Sequence, residues 1–121
     1  MKILILEPNR YPREADIPHT LEAMQETVGG YIQALYPWEE RVALVCDDEG
    51  QLKQKPFNRV IGNAGVIVGT CFICGIDGED FSDLPADLME RFKQKFHFPQ
   101  MLIRTPHGIR AVPMSAEGDA L

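Results

Sequence analysis

No run of apolar residues in this chain approaches the roughly 20 needed to cross a bilayer. The opening MKILIL is too short for a secretory signal and lacks its small-residue cleavage site. The expected compartment is therefore cytoplasmic, without a membrane partner. Cysteine is scarce: Cys46, Cys71 and Cys74 are an odd number in core-like surroundings, which fits reduced thiols better than a disulfide framework. Basic charge is in deficit, with 12 Lys and Arg against 18 Asp and Glu and a net charge of −6, which argues against non-specific attraction to DNA, RNA or anionic lipid. The excess is also too modest for a mimic of nucleic-acid charge.

Catalytic and metal signatures are missing as well. The patterns GxSxG, HExxH and the P-loop are absent, and His19, His97 and His107 stand far apart with no nucleophile beside them. The pair Cys71 and Cys74 has the spacing of a zinc or redox motif, but strand positions three apart point to opposite faces and no second Cys or His pair follows. The acidic stretches DDEG (residues 47–50) and DGED (residues 77–80) lack the alternating oxygen ligands of a calcium loop and read as solvated turns. They could still face each other across a sheet edge and hold a cation weakly. No catalytic residue, resident metal or cofactor is expected.

What remains is a chain of 121 residues, 45% hydrophobic and 25% charged, enough for one core. MKILIL reads as a strand ending before Pro8, followed by a loop holding a short strand near residues 13–17. TLEAMQETVGG reads as a helix, with Thr20 to cap it, Leu21, Met24 and Val28 on one face, and Gly29-Gly30 to stop it. YIQALYP and RVALVCD should pair as antiparallel neighbours, and residues 65–76 read as one buried strand. Residues 82–99 predict a second one-sided helix, with Leu88, Met89, Phe92 and Phe96 as its stripe. The expected fold is α+β: a four- to five-stranded antiparallel or mixed sheet with two helices on one face, the other face left for water or a partner. The expected organisation is one domain over residues 1–99 and, from residue 100, a mobile tail or an arm docking on a neighbouring subunit.

The order LEA-Q-VGGYI, then VALVC with an acidic turn, P-NR, GT-FICG and GEDF, over residues 2–99, resembles a phage and bacterial family known as the domain of unknown function numbered three-eight-four-six. The resemblance implies an accessory protein of phages or mobile elements, working in the host cytoplasm. By analogy, such proteins neutralise a host defence function by inhibiting a host protein or sequestering a signalling molecule.

The residues nominate one binding segment. In KQKPFNR, Lys53, Lys55 and Arg59 place three cations in seven residues with no carboxylate among them, and Phe57 and Asn58 add a stacking face and an amide. Tyr36 and Trp38 bracket a turn, with Arg41 beside them. The leading expectation is a non-enzymatic, homo-oligomeric binding protein, a sponge for a small phosphorylated or nucleotide ligand held by Arg59, Lys53, Lys55, Asn58, Tyr36, Trp38 and Arg41 at a subunit interface. The plain alternative anchors the loop through Phe57, pairs an Asn58-Arg59 turn with Asp47 or Asp48, and leaves the lysines in water. Two other functions stand beside it: a protein-protein inhibitor of a host nucleic-acid enzyme acting through the bare sheet face or the acidic turns, and an enzyme with an unrecognised site.

Overall fold

The computed structural model describes residues 1–116. Its strands are β1 (Lys2–Leu6), β2 (Arg13–Asp16), β3 (Ile32–Leu35), β4 (Val42–Asp47), β5 (Phe57–Ile61), β6 (Gly65–Val68), β7 (Cys71–Asp77), β8 (Asp80–Ser82), β9 (Gln100–Thr105) and β10 (Gly108–Pro113). Its helices are α1 (Leu21–Val28) and α2 (Ala86–Lys95), with a short 3-10 turn at Gly62–Ala64. The α+β class is correct, and every strand pairing is antiparallel.

The sheet is larger than expected and is not alone. Six strands form it in the order β2-β1-β7-β4-β3, with β8 also on β7, while β5-β6 and β9-β10 are separate two-stranded ribbons. The expected single strand over residues 65–76 is two: Gly69 turns at φ 72 between them, so β6 pairs with β5 and only β7 enters the main sheet.

The helices do not share a face. Alternation along β1 sends Ile3 and Ile5 to one side with Met24 and Val28 of α1, and Leu4 and Leu6 to the other with Met89 and Phe92 of α2. β1, β4 and β7 are consequently apolar at almost every position, the pattern of strands covered on both sides. Among the described residues both faces of the sheet carry a core cluster, in place of the bare face expected from sequence. One-sided helices show that each needs a sheet to cover, and nothing in their periodicity says which side of it.

Local signals set the first helix. Thr20 Oγ1 accepts from the Ala23 N–H at 3.1 Å, and Gly29 at φ 78 donates its N–H to Gln25 O at 2.7 Å. Beyond α2, where the sequence pattern lapses, residues 100–113 form the β9-β10 hairpin. Residues 117–121 of the expected tail lie outside the described residues. Among the described residues, no helix is long and apolar enough to cross a membrane.

Candidate functional site

The basic loop does contain a bound anion, and that anion is Asp47. Its side chain is 1% exposed and takes Lys53 Nζ at 2.8 Å and Lys55 Nζ at 2.6 Å on the same oxygen, while its other oxygen accepts the Glu49 N–H at 2.9 Å. Burial alone would raise this carboxyl, but the hydrogen bonds from Lys53, Lys55 and the Glu49 amide outweigh it and hold Asp47 well below the usual carboxylate range. The bond to Asp47 in turn raises Lys53. Both ammoniums also donate to the end of α1, Lys55 to Val28 O at 2.8 Å and Gly29 O at 3.3 Å, Lys53 to Gly29 O at 3.3 Å. Cations suit a helix C-terminus, where unpaired carbonyls gather negative potential. The two lysines thus close a helix and pin the turn after β4.

Asn58 and Arg59 are elsewhere and buried. The β5-β6 register slips between Phe57 and Arg59, a bulge that lets two consecutive side chains leave the strand on the same side. Asn58 Nδ2 donates to Leu6 O at 2.9 Å and Gly69 O at 2.8 Å, joining the end of β1 to the turn before β7. Arg59, 0% exposed, donates from Nη1 to Asn58 Oδ1 at 2.7 Å and Glu7 O at 3.2 Å, and from Nη2 to Arg10 O at 2.9 Å and Phe96 O at 3.1 Å. Its Nε is buried without a partner among the described residues. Burial pulls the guanidinium below its ordinary value, and backbone carbonyls stand in for the counter-ion. This arginine fastens the turn after β1 to the end of α2; it is not presented to solvent as the sequence reading expected.

The nominated aromatics separate too. Tyr36 is exposed, whereas Trp38 leans on Phe92 and Phe96, with ring centroids 4.7 and 5.9 Å away, and finishes the core under α2. Arg41 lines a groove of about 490 Å³ with Ile76, Asp77, Asp83, Pro85 and Leu88, at the N-terminal end of α2. Of the seven nominated residues, Lys53 and Lys55 come together and Asn58 and Arg59 come together, but the seven form no single site. Cys71 and Cys74 fall into the two opposite core layers, as strand alternation requires, and burial pushes both thiols up to about 12. Among the described residues no three His, Cys, Asp or Glu side chains are grouped to hold a metal.

Sequence reading missed two features. At the C-terminal end of α2, His97 stacks on Tyr11 with centroids 4.6 Å apart and rings 9° from parallel, and Phe98 meets His97 edge-on at 4.7 Å. A cavity of about 360 Å³ opens beside them, with Lys93, Gln94 and Glu90 on its wall. Beyond this shelf the chain exposes Phe98 and, on the two faces of the β9-β10 ribbon, Met101, Leu102, Ile103 and Ile109, and the β5-β6 ribbon exposes Val60 and Val66. A hydrogen bond from the Val60 N–H to Gln100 Oε1 at 2.9 Å ties the two ribbons together. Charge is divided along the same line. Residues 91–116 carry five basic and no acidic side chains, and residues 1–90 carry seven basic and sixteen acidic. The exposure of the apolar residues 101–103 leaves no signal in the sequence.

The chain matches the model of a family described as Domain of unknown function (DUF3846) over residues 1–97. It belongs to this family. The match takes in both helices, the six-stranded sheet and the β5-β6 ribbon, and stops before the β9-β10 hairpin. No curated protein and no solved structure matches the chain.

Proposed function

We propose that this protein is a non-enzymatic docking module that acts by covering the surface of another protein. The observation that carries this reading is the exposure of Phe98 and, on the two faces of the β9-β10 ribbon, of Met101, Leu102, Ile103 and Ile109, with Arg104 and Arg110 among them. Exposed apolar side chains interspersed with arginines suit protein-protein contact, where burial supplies affinity and Arg supplies directed hydrogen bonds. Three of the four cations first assigned to a phosphorylated ligand, Lys53, Lys55 and Arg59, are engaged internally, which moves the weight from a small anion to a macromolecule. The accessory role implied by the family resemblance makes a host protein the natural target. A photo-crosslinking side chain at position 103 should give discrete adducts in cells, and one at position 26 on the outer side of α1 should not. Equal labelling at both positions, or none at position 103, would sink the reading.

A small phosphorylated ligand stays as a second reading, now at the His97 shelf, where stacked Tyr11 and His97 rings adjoin a cavity walled by Lys93 and Gln94. Aromatic faces take a nucleobase and Lys93 supplies a cation, although its ammonium is already 2.7 Å from Glu14. Mono- and dinucleotides should raise the melting temperature of the wild type and not of His97→Ala. A melting temperature indifferent to all of them removes this reading.

A further inference from the structure

The β9-β10 hairpin is a two-stranded ribbon with apolar side chains on both faces. The register pairs Met101 with Val112 and Ile103 with Arg110 on one face, and Leu102 with Ala111 and Arg104 with Ile109 on the other. Met101, Leu102, Ile103 and Ile109 are all exposed. The hydrogen bond from Val60 to Gln100 holds the ribbon to β5, yet these apolar side chains stay in water on both faces, and a two-stranded ribbon gains stability by burying them. Its described residues include Arg104 and Arg110 and no carboxylate, whereas residues 1–90 are strongly acidic. The chain therefore carries on one molecule a basic, apolar arm and an acidic body.

The acidic body has a groove suited to that arm. Ile76, Pro85 and Leu88 give it apolar walls, and Asp77 and Asp83 line it together with Arg41. Exposed Glu79 and Asp80 belong to the turn between β7 and β8 that starts at Asp77, and exposed Asp87 precedes Leu88 in α2. Asp83 Oδ1 accepts the Lys2 N–H at 2.8 Å, so the groove is built on fixed backbone. The arm follows the C-terminal end of α2 and the groove lies at its N-terminal end, roughly 15 Å apart for a helix of 10 residues. A two-fold axis that sets the α2 helices of two copies antiparallel brings each arm to the other's groove and closes the assembly at two.

Resting on the docking reading, we infer that the first occupant of this surface is a second copy of the chain, each copy laying its β9-β10 hairpin in the groove between β7, β8 and α2 of the other. Charge decides for a second copy over nucleic acid, since the arm's complement is on the chain itself and its exposed isoleucines and methionine would gain nothing from phosphate.

Light scattering on the eluting 121-residue chain over a wide concentration range tests this. The wild type should be a dimer that dissociates on dilution. Ile103→Glu with Ile109→Glu, one change on each face, should weaken self-association on the order of a hundredfold while leaving circular dichroism unchanged. Two charge-swapped chains give a test that a folding defect cannot imitate. Arg104→Glu/Arg110→Glu alone should be monomeric, Asp77→Lys/Glu79→Lys alone should be monomeric, and an equimolar mixture should form a heterodimer with both contacts restored. A monomeric wild type overturns the inference and leaves the docking reading standing. A dimer that survives the two glutamates overturns both, because the apolar arm is then not a docking surface. Loss of the dimer without rescue on mixing overturns the groove as the arm's seat.

Discussion

Lys55 Nζ sits 2.6 Å from the Asp47 carboxylate and 2.8 Å from the last carbonyl of α1, Val28 O. One ammonium thereby joins a strand end to a helix end across 27 residues of sequence. The carboxylate is almost wholly buried and the ammonium is 20% exposed, so this pair is better shielded than an ordinary surface ion pair. Asp47→Asn removes the charge and leaves two ammoniums facing a neutral amide, and should cost about 2–3 kcal/mol in chemical denaturation. A loss within the error of zero would mean that water screens the cluster.

The same carboxylate predicts how the protein meets acid. Its folded-state pKa lies below its unfolded value of about 3.9, so its stabilisation is complete above that value and fades as the pH falls toward the folded one. Wild type and Asp47→Asn should therefore differ most at neutral pH and converge as the pH drops below about 4. A gap in unfolding free energy that holds constant down to pH ~2 would contradict this assignment.

Arg59 makes four hydrogen bonds inside the fold, three of them to backbone carbonyls. Arg59→Met strands those acceptors and should cost roughly 3–5 kcal/mol, and Arg59→Lys should recover little because an ammonium cannot span them with a planar fork. Charge reversal at this position reports on folding before it can report on any ligand. Urea unfolding of the three proteins, followed by circular dichroism, measures the order; full recovery by lysine would show that charge alone suffices there.

Gly75 lies where β7 runs against the turn into α2, and a Cβ built on it would collide with the backbone carbonyl of Asp83 and with Ser82 Oγ. Gly75→Ala should therefore destabilise by about 1–3 kcal/mol, since main chain has to move to admit it. Thermal unfolding beside the wild type checks this, and an unchanged melting temperature would place more room at that crossing than the structure gives it.

Cys71 and Cys74 are buried on opposite faces of β7, with both thiols pushed up to about 12 by burial. A thiolate-specific reagent at pH 8 should leave both unmodified in the native protein and reach them only as it unfolds. Cys46, 6% exposed and lining a cavity of about 340 Å³ with Gln33 and Asp48, should be the first to react. Mass spectrometry of the partially labelled protein identifies the site, and early labelling of Cys71 or Cys74 would contradict their burial.

Local chemistry determined much of this molecule. Thr20 and Gly29 bound α1 in sequence as in structure, because a side-chain oxygen at one end and a left-handed glycine at the other act within a few residues. The pairing of β3 with β4 was legible for the same reason, since a short connection between two strand-forming runs leaves little choice. The opposition of Cys71 and Cys74 follows from strand alternation alone.

Tertiary structure decided the rest. The face of the sheet each helix covers depends on connections whose direction the helix period does not encode, so α1 and α2 ended on opposite sides. KQKPFNR read as one cationic segment because adjacency in sequence is visible and burial is not. The fold divides it: Lys53 and Lys55 turn back to Asp47 and the end of α1, while a bulge at Asn58 swings Arg59 inward among the carbonyls of Glu7, Arg10 and Phe96. Charges in a sequence show that an ion must be satisfied somewhere, and only packing chooses whether its partner is solvent, a ligand or the chain's own backbone.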